Sequence, residues 1–108
     1  MHSIHLRHPW QSEARDSSTV WTRRFNWPAE PDAGERILLV IEAVPDGATA
    51  TLNAIKLGCV AQAPFDVTRM VAVHNRLVLV VPCDGQEAAE RFPYEVRLDI
   101  VAADAAAE

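Results

Sequence analysis

The sequence predicts an all-β domain, an antiparallel β-sandwich built from seven or eight short strands. Short runs of apolar or alternating residues recur along the chain. Turn signals separate them at intervals of about 8–12 residues, and no run carries the period of a packing helix. At 108 residues the chain is expected to hold one hydrophobic core. The sandwich is assigned to residues 1–102, and the small acidic stretch 103–108 is expected to be a flexible tail.

Each element has its own local warrant. Residues 3–10 alternate loosely and read as an edge strand, where the N–H missing at Pro9 is tolerated. Residues 11–19 are polar without periodicity and read as a loop. In residues 20–28, Trp21, Arg23, Phe25 and Trp27 share one strand face and Val20, Thr22, Arg24 and Asn26 the other, with Pro28 as the stop. A Pro- and Gly-containing loop over 29–35 leads to Ile37–Val44, which has no polar face over its first five positions. That composition predicts a strand covered on both sides, or one whose outer face lies under loops.

Pro45-Asp46-Gly47 is a turn, and residues 48–53 then alternate. Asn53-Ala54 reverses the chain into Ile55–Val60 as a two-residue hairpin. Ala54 costs about 1 kcal/mol there, because an L-residue other than Gly resists positive φ. Residues 65–71 read as a strand end entering one helical turn, with Thr68 as its N-cap and Asn75 closing it in left-handed conformation. Residues 76–81 form the second aliphatic strand, ended by Pro82, and 84–90 form a turn and acidic loop. In the last strand Tyr94, Val96, Leu98 and Ile100 face inward, and Glu95, Arg97 and Asp99 face water.

Composition narrows the function classes. Fifteen acidic against ten basic residues give a net charge of −5 with no basic stripe, which argues against nucleic acid as a partner. No run approaches the ~20 apolar residues of a membrane span. Residues 1–16 lack the apolar core of a signal peptide, so a cytoplasmic location is expected, and Cys59 and Cys83 are expected to be two reduced thiols. His2, His5 and His8 recur every third residue, but on a strand this puts His5 on the face opposite the other two. They are therefore read as solvent-facing imidazoles, and neither a metal nor a cofactor is expected. His74 could meet Cys59 or Cys83 as a thiol–imidazole pair, but a capping or surface position explains it at no cost and is the reading adopted. No nucleophile-elbow, phosphate-loop or Cys/His metal spacing is present.

The order of the pieces over residues 20–82 resembles the N-terminal jelly-roll domain of family 2 glycoside hydrolases, the β-galactosidase and β-mannosidase group. The residues that carry the resemblance are Arg23-Arg24-Phe25 before a proline and Arg36 with the aliphatic strand after it. Thr51-Leu52-Asn53 with Leu57-Gly58, Phe65-Asp66-Val67-Thr68 and Asn75-Arg76-Leu77 complete the set. The resemblance implies a galactose-binding-domain-like sandwich. Ala54 departs from that family's hairpin glycine, and Cys59-Val60-Ala61-Gln62-Ala63 departs from its polar and aromatic loop. The barrel with the family's two catalytic glutamates has no counterpart here, so an enzyme is not expected.

Two roles follow as expectations. One is a non-catalytic accessory module that packs on a protein partner or on a second copy as a homodimer. The alternative is a carbohydrate-binding module. An indole face stacks on a sugar ring while polar groups fix its hydroxyls, and Trp10, Trp27, Arg24 and Asn26 are the candidate ligand-binding residues.

Overall fold

The structure is a computed structural model that describes residues 2–7, 9–15, 17–27, 34–45, 47–82 and 94–102. The Cys83 thiol, the 84–90 loop and the 103–108 tail discussed above lie outside them. Two antiparallel sheets pack face to face as a jelly-roll-like β-sandwich. In chain order the strands are β1 (His2–His5), β2 (Gln11–Ala14), β3 (Ser18–Asn26), β4 (Glu35–Glu42) and β5 (Thr49–Leu52). They are followed by β6 (Ile55–Cys59), β7 (Phe65–Asp66), β8 (His74–Pro82) and β9 (Glu95–Ala102). One sheet has the order β1-β9-β4-β7 and the other β2-β3-β8-β5-β6.

The core forms where the inward faces of the sheets meet. Ile37, Leu39, Leu52, Leu77, Leu79, Leu98 and Val67 are fully buried between them. Trp21 on β3 and Trp27 just past its end are buried on the inward side, as the alternation predicts, and Phe25 packs partly buried against the core. β4 alternates more cleanly than its composition suggests. Ile37, Leu39 and Ile41 are buried, while Leu38 and Val40 are only half-covered on the outer face.

Four local expectations are corrected. Gln11–Ala14 is a strand and not a loop, paired with β3 from Gln11↔Thr22 to Ala14↔Thr19. All four of its residues are exposed, so the ladder is held by backbone pairing and leaves no hydrophobic period to read. Thr68 does not cap the turn after β7. Asp66 does, its Oδ1 accepting from the Thr68 N–H at 3.0 Å and from the Thr68 hydroxyl at 2.5 Å. The Thr68 hydroxyl in turn accepts from the Ile37 N–H at 2.9 Å, tying the turn to β4.

Asn75 does not close that turn with a left-handed backbone; it is a buried strand residue of β8 that works through its amide. Its Oδ1 accepts from the Ala72 N–H at 2.7 Å and its Nδ2 donates to the Ala72 carbonyl at 2.7 Å. Asp99, finally, is only 6% exposed despite its outward register. Ser3 Oγ donates to Asp99 Oδ1 at 2.6 Å and Arg97 Nε at 3.1 Å, so the carboxylate is paired where it is covered.

The predicted hairpin is present. Asn53 and Ala54 have φ of 51° and 68°, as the two-residue turn between β5 and β6 requires. Asn53 also reaches across the sandwich end. Its Nδ2 donates to the Met70 carbonyl and to Asn75 Oδ1, and its Oδ1 accepts from the Arg76 N–H. A bulge follows in the β5–β6 ladder, where Ala50 pairs with Gly58 and Thr51 with Lys56. Gly58 has φ of 126° there, and a Cβ on it would sit 2.7 Å from Gln62 Oε1.

Candidate functional site

After β1 the chain leaves one sheet for the edge of the other. Leu6 anchors the crossing: it is buried, and its N–H donates to the Val96 carbonyl at 2.9 Å. Two open clefts flank this crossing and share His5 and Leu6. The four residues singled out in the sequence are divided between them.

The first cleft, of about 320 Å³, is lined by His5, Leu6, Arg7, Trp10, Tyr94, Glu95 and Val96. Trp10 and Tyr94 are both half-buried. The indole is held in place because Trp10 Nε1 donates to the Leu6 carbonyl at 2.9 Å. At the rim His5 Nδ1 lies 3.4 Å from Glu95 Oε1, and the exposed Arg7 side chain adds a cation. The pair exists because β1 and β9 are neighbours, with His5 in register with Arg97. Aromatic surface flanked by hydrogen-bonding groups suits a ring with one apolar face and a hydroxylated edge.

The second cleft, of about 500 Å³, runs between Ile4, His5 and Leu6 on one side and Arg23 to Trp27 on the other. Arg24, Asn26 and Trp27 meet here, but Trp27 is only 9% exposed and belongs mainly to the core. Trp10 lines the other cleft, so the two tryptophans do not form one platform. Arg23 closes the wall between strand and crossing, its Nε donating to the Arg7 carbonyl at 2.7 Å and its guanidinium also reaching the Arg24 carbonyl. The side chains of Arg24 and Asn26 are exposed, and Asn26 Oδ1 lies 3.1 Å from His74 Nδ1.

Sequence reasoning missed Tyr94, His5, Glu95 and Arg7 as lining residues. Tyr94 had an inward parity on β9, and its partial burial matches that; its place beside Trp10 depends on β1–β9 pairing, which joins opposite ends of the chain. Elsewhere the charged groups serve the fold. The Glu42 hydrogen bond, with Asp99 behind it, keeps Arg97 still more firmly protonated than an ordinary arginine. The Thr68 hydroxyl holds the Asp66 carboxyl below its ordinary range, opposed by slight burial and helped by the Thr68 N–H, Arg36 and Arg69. Cys59 is a half-buried free thiol. Among the described residues no group of three or more His, Cys, Asp or Glu could hold a metal ion, and no helix is long and apolar enough to cross a membrane.

No family model matches the chain, and neither does any curated protein. Among solved structures it is similar to a rhamnosidase from Novosphingobium sp. PP1Y, with a TM-score of 0.54 and 18% sequence identity over 76% of this chain. The chain spans 11% of the length of that protein. At this identity the likeness establishes the β-sandwich fold.

Proposed function

We propose that this domain is a non-catalytic, carbohydrate-related accessory module, and that the cleft between Trp10 and Tyr94 receives a sugar ring. The observation that carries the reading is the pairing of two half-buried aromatic residues with a polar rim of His5, Glu95 and Arg7. The similarity of the fold to one small part of a rhamnosidase supports the same direction, as does the sequence resemblance to the jelly-roll domain of family 2 glycoside hydrolases. Stacking of a pyranose C–H face on the locked indole would supply most of the contact. His5, Glu95 and Arg7 would then select among hydroxyl arrangements.

A titration with neutral mono- and oligosaccharides, followed by indole and amide N–H shifts in NMR spectra, tests it. Shifts confined to Trp10, Tyr94 and residues 5–7 are expected, and Trp10→Ala should remove them. A silent panel at millimolar sugar, with well-dispersed spectra, would sink the sugar reading. A second reading, a module that packs on a protein partner, is favoured by the half-covered outer face of the five-stranded sheet, where Val20, Val78 and Val80 lie side by side. Light scattering checks its simplest form: a concentration-dependent dimer supports self-association, and a strict monomer removes it.

A further inference from the structure

The outer face of the five-stranded sheet carries an arrangement that the fold does not explain, and it includes Arg24 and Asn26 from the rim of the second cleft. Arg24 on β3 is in register with Arg76 on β8, so two exposed guanidiniums stand directly opposite each other. Paired strand positions are about 5 Å apart between Cα atoms, and like charges placed so are destabilising. Neither guanidinium has an acidic partner among the described residues. Among the other described arginines, Arg15 pairs with Glu13, Arg97 with Glu42 and Asp99, and Arg23 with backbone carbonyls. Arg7, Arg36 and Arg69 form no ion pair with a described residue, but they are not set opposite one another in register. In a chain of net charge −5, this is a local reversal of sign.

The neighbouring rows extend the same face. Towards one end lie Asn26 and His74, hydrogen-bonded to each other and both exposed. Towards the other, Thr22 and Thr51 flank Val78, and Lys56 stands opposite Thr51. Cations, hydroxyls and a methyl-bearing surface are thus set out in rows on one sheet face. Their spacings are about 5 Å across the strands and about 7 Å along them. Guanidinium forks engage carboxylates bidentately, and threonine hydroxyls both donate to and accept from sugar hydroxyls.

We infer that this face binds a carboxylate-bearing oligosaccharide, with Arg24 and Arg76 clamping a uronate group and Thr22 and Thr51 meeting the ring hydroxyls. The inference deepens the carbohydrate reading and rests on it, but it uses a surface separate from the Trp10 cleft.

The test uses a short oligogalacturonate and its methyl ester, which has the same rings without the charge. The acid should shift the side-chain Nε–H signals of Arg24 and Arg76 and the amides of residues 22–26 and 74–78, and the ester should not. Arg24→Gln with Arg76→Gln should weaken binding about tenfold or more, as expected for the loss of charge-assisted hydrogen bonds. Tenfold higher ionic strength should weaken it several-fold, because exposed charges are screened. Equal shifts with acid and ester, or none in the arginine row, overturn the proposal. So does polyglutamate that shifts the same arginines as strongly, since it would assign the face to acidic polypeptide. Neutral-sugar shifts at Trp10 report on the first cleft alone, so failure of one site leaves the other readable.

Discussion

Replacing Asn75 by alanine should be the most damaging single change at the polar end of the sandwich. The side chain is 4% exposed. Its Oδ1 accepts from Asn53 Nδ2 at 3.0 Å and from the Ala72 N–H at 2.7 Å, and its Nδ2 donates to the Ala72 carbonyl at 2.7 Å. A fourth contact, to the Phe25 carbonyl at 3.4 Å, is too long to count for much. Three well-formed bonds at about 0.5–1.5 kcal/mol each give roughly 3 kcal/mol. Ala72 is exposed and can recover water at its freed backbone groups, which lowers the expectation to about 2–3 kcal/mol. For a domain of this size that is a fall in Tm of roughly 10–20 °C. Urea unfolding monitored by the fluorescence of the buried Trp21 and Trp27 measures it directly. The Asn53→Ala variant completes a double-mutant cycle, and the Asn53–Asn75 coupling should be about 1 kcal/mol. A loss below about 0.5 kcal/mol for Asn75→Ala would refute the reasoning, since it would mean that water replaces the amide at no cost.

Three further outcomes follow from backbone and charge. Ala54→Gly should stabilise the protein by about 0.5–1 kcal/mol in the same assay, because relief of the positive φ exceeds the entropy that glycine adds to the unfolded chain. Gly58→Ala should cost about 1–3 kcal/mol through its φ of 126°, and Gln62→Ala should not rescue it if backbone strain, and not the clash with Gln62, is the cause. Thr68→Val should raise the Asp66 pKa towards its ordinary range in a carboxyl-carbon NMR titration. With a lowered folded pKa, Asp66 contributes stability above about pH 4 that is lost as the pH falls further, and the variant should lack that acid-limb slope.

Much of the fold was legible because burial and period coincide. The alternation of β3 and β9, the aliphatic runs of β4 and β8 and the Asn53-Ala54 turn each state their structure locally. β2 was hidden because Gln-Ser-Glu-Ala contributes backbone alone to an edge, and no side-chain period records that. The burial of Asp99 was hidden for a related reason: its cover comes from Ser3, whose register partner it is across nearly the whole chain. The candidate site was legible only in part. Trp10, Arg24 and Asn26 were named as candidate ligand-binding residues, and the structure places Trp10 in one cleft and Arg24 and Asn26 in the other. Trp27 went to the core because β3 continues its inward parity to that residue. Tyr94 and the His5–Glu95 pair required knowing that β1 lies against β9.

That closure has a kinetic side. Among the described residues, only β2–β3 and β5–β6 join strands adjacent in sequence; β3–β8, β4–β9 and β1–β9 must each bring distant segments together. Loop closure must precede those contacts, so a chain with this wiring should fold in milliseconds to seconds and not in microseconds. The hairpin at Asn53-Ala54 can form alone and presents β5 as a template for β8. If it does so before the rate-limiting step, Ala54→Gly will speed folding and leave unfolding nearly unchanged. If the hairpin docks late, the same substitution will act on the unfolding arm. The Ala54→Gly substitution thus reports when the hairpin joins the five-stranded sheet.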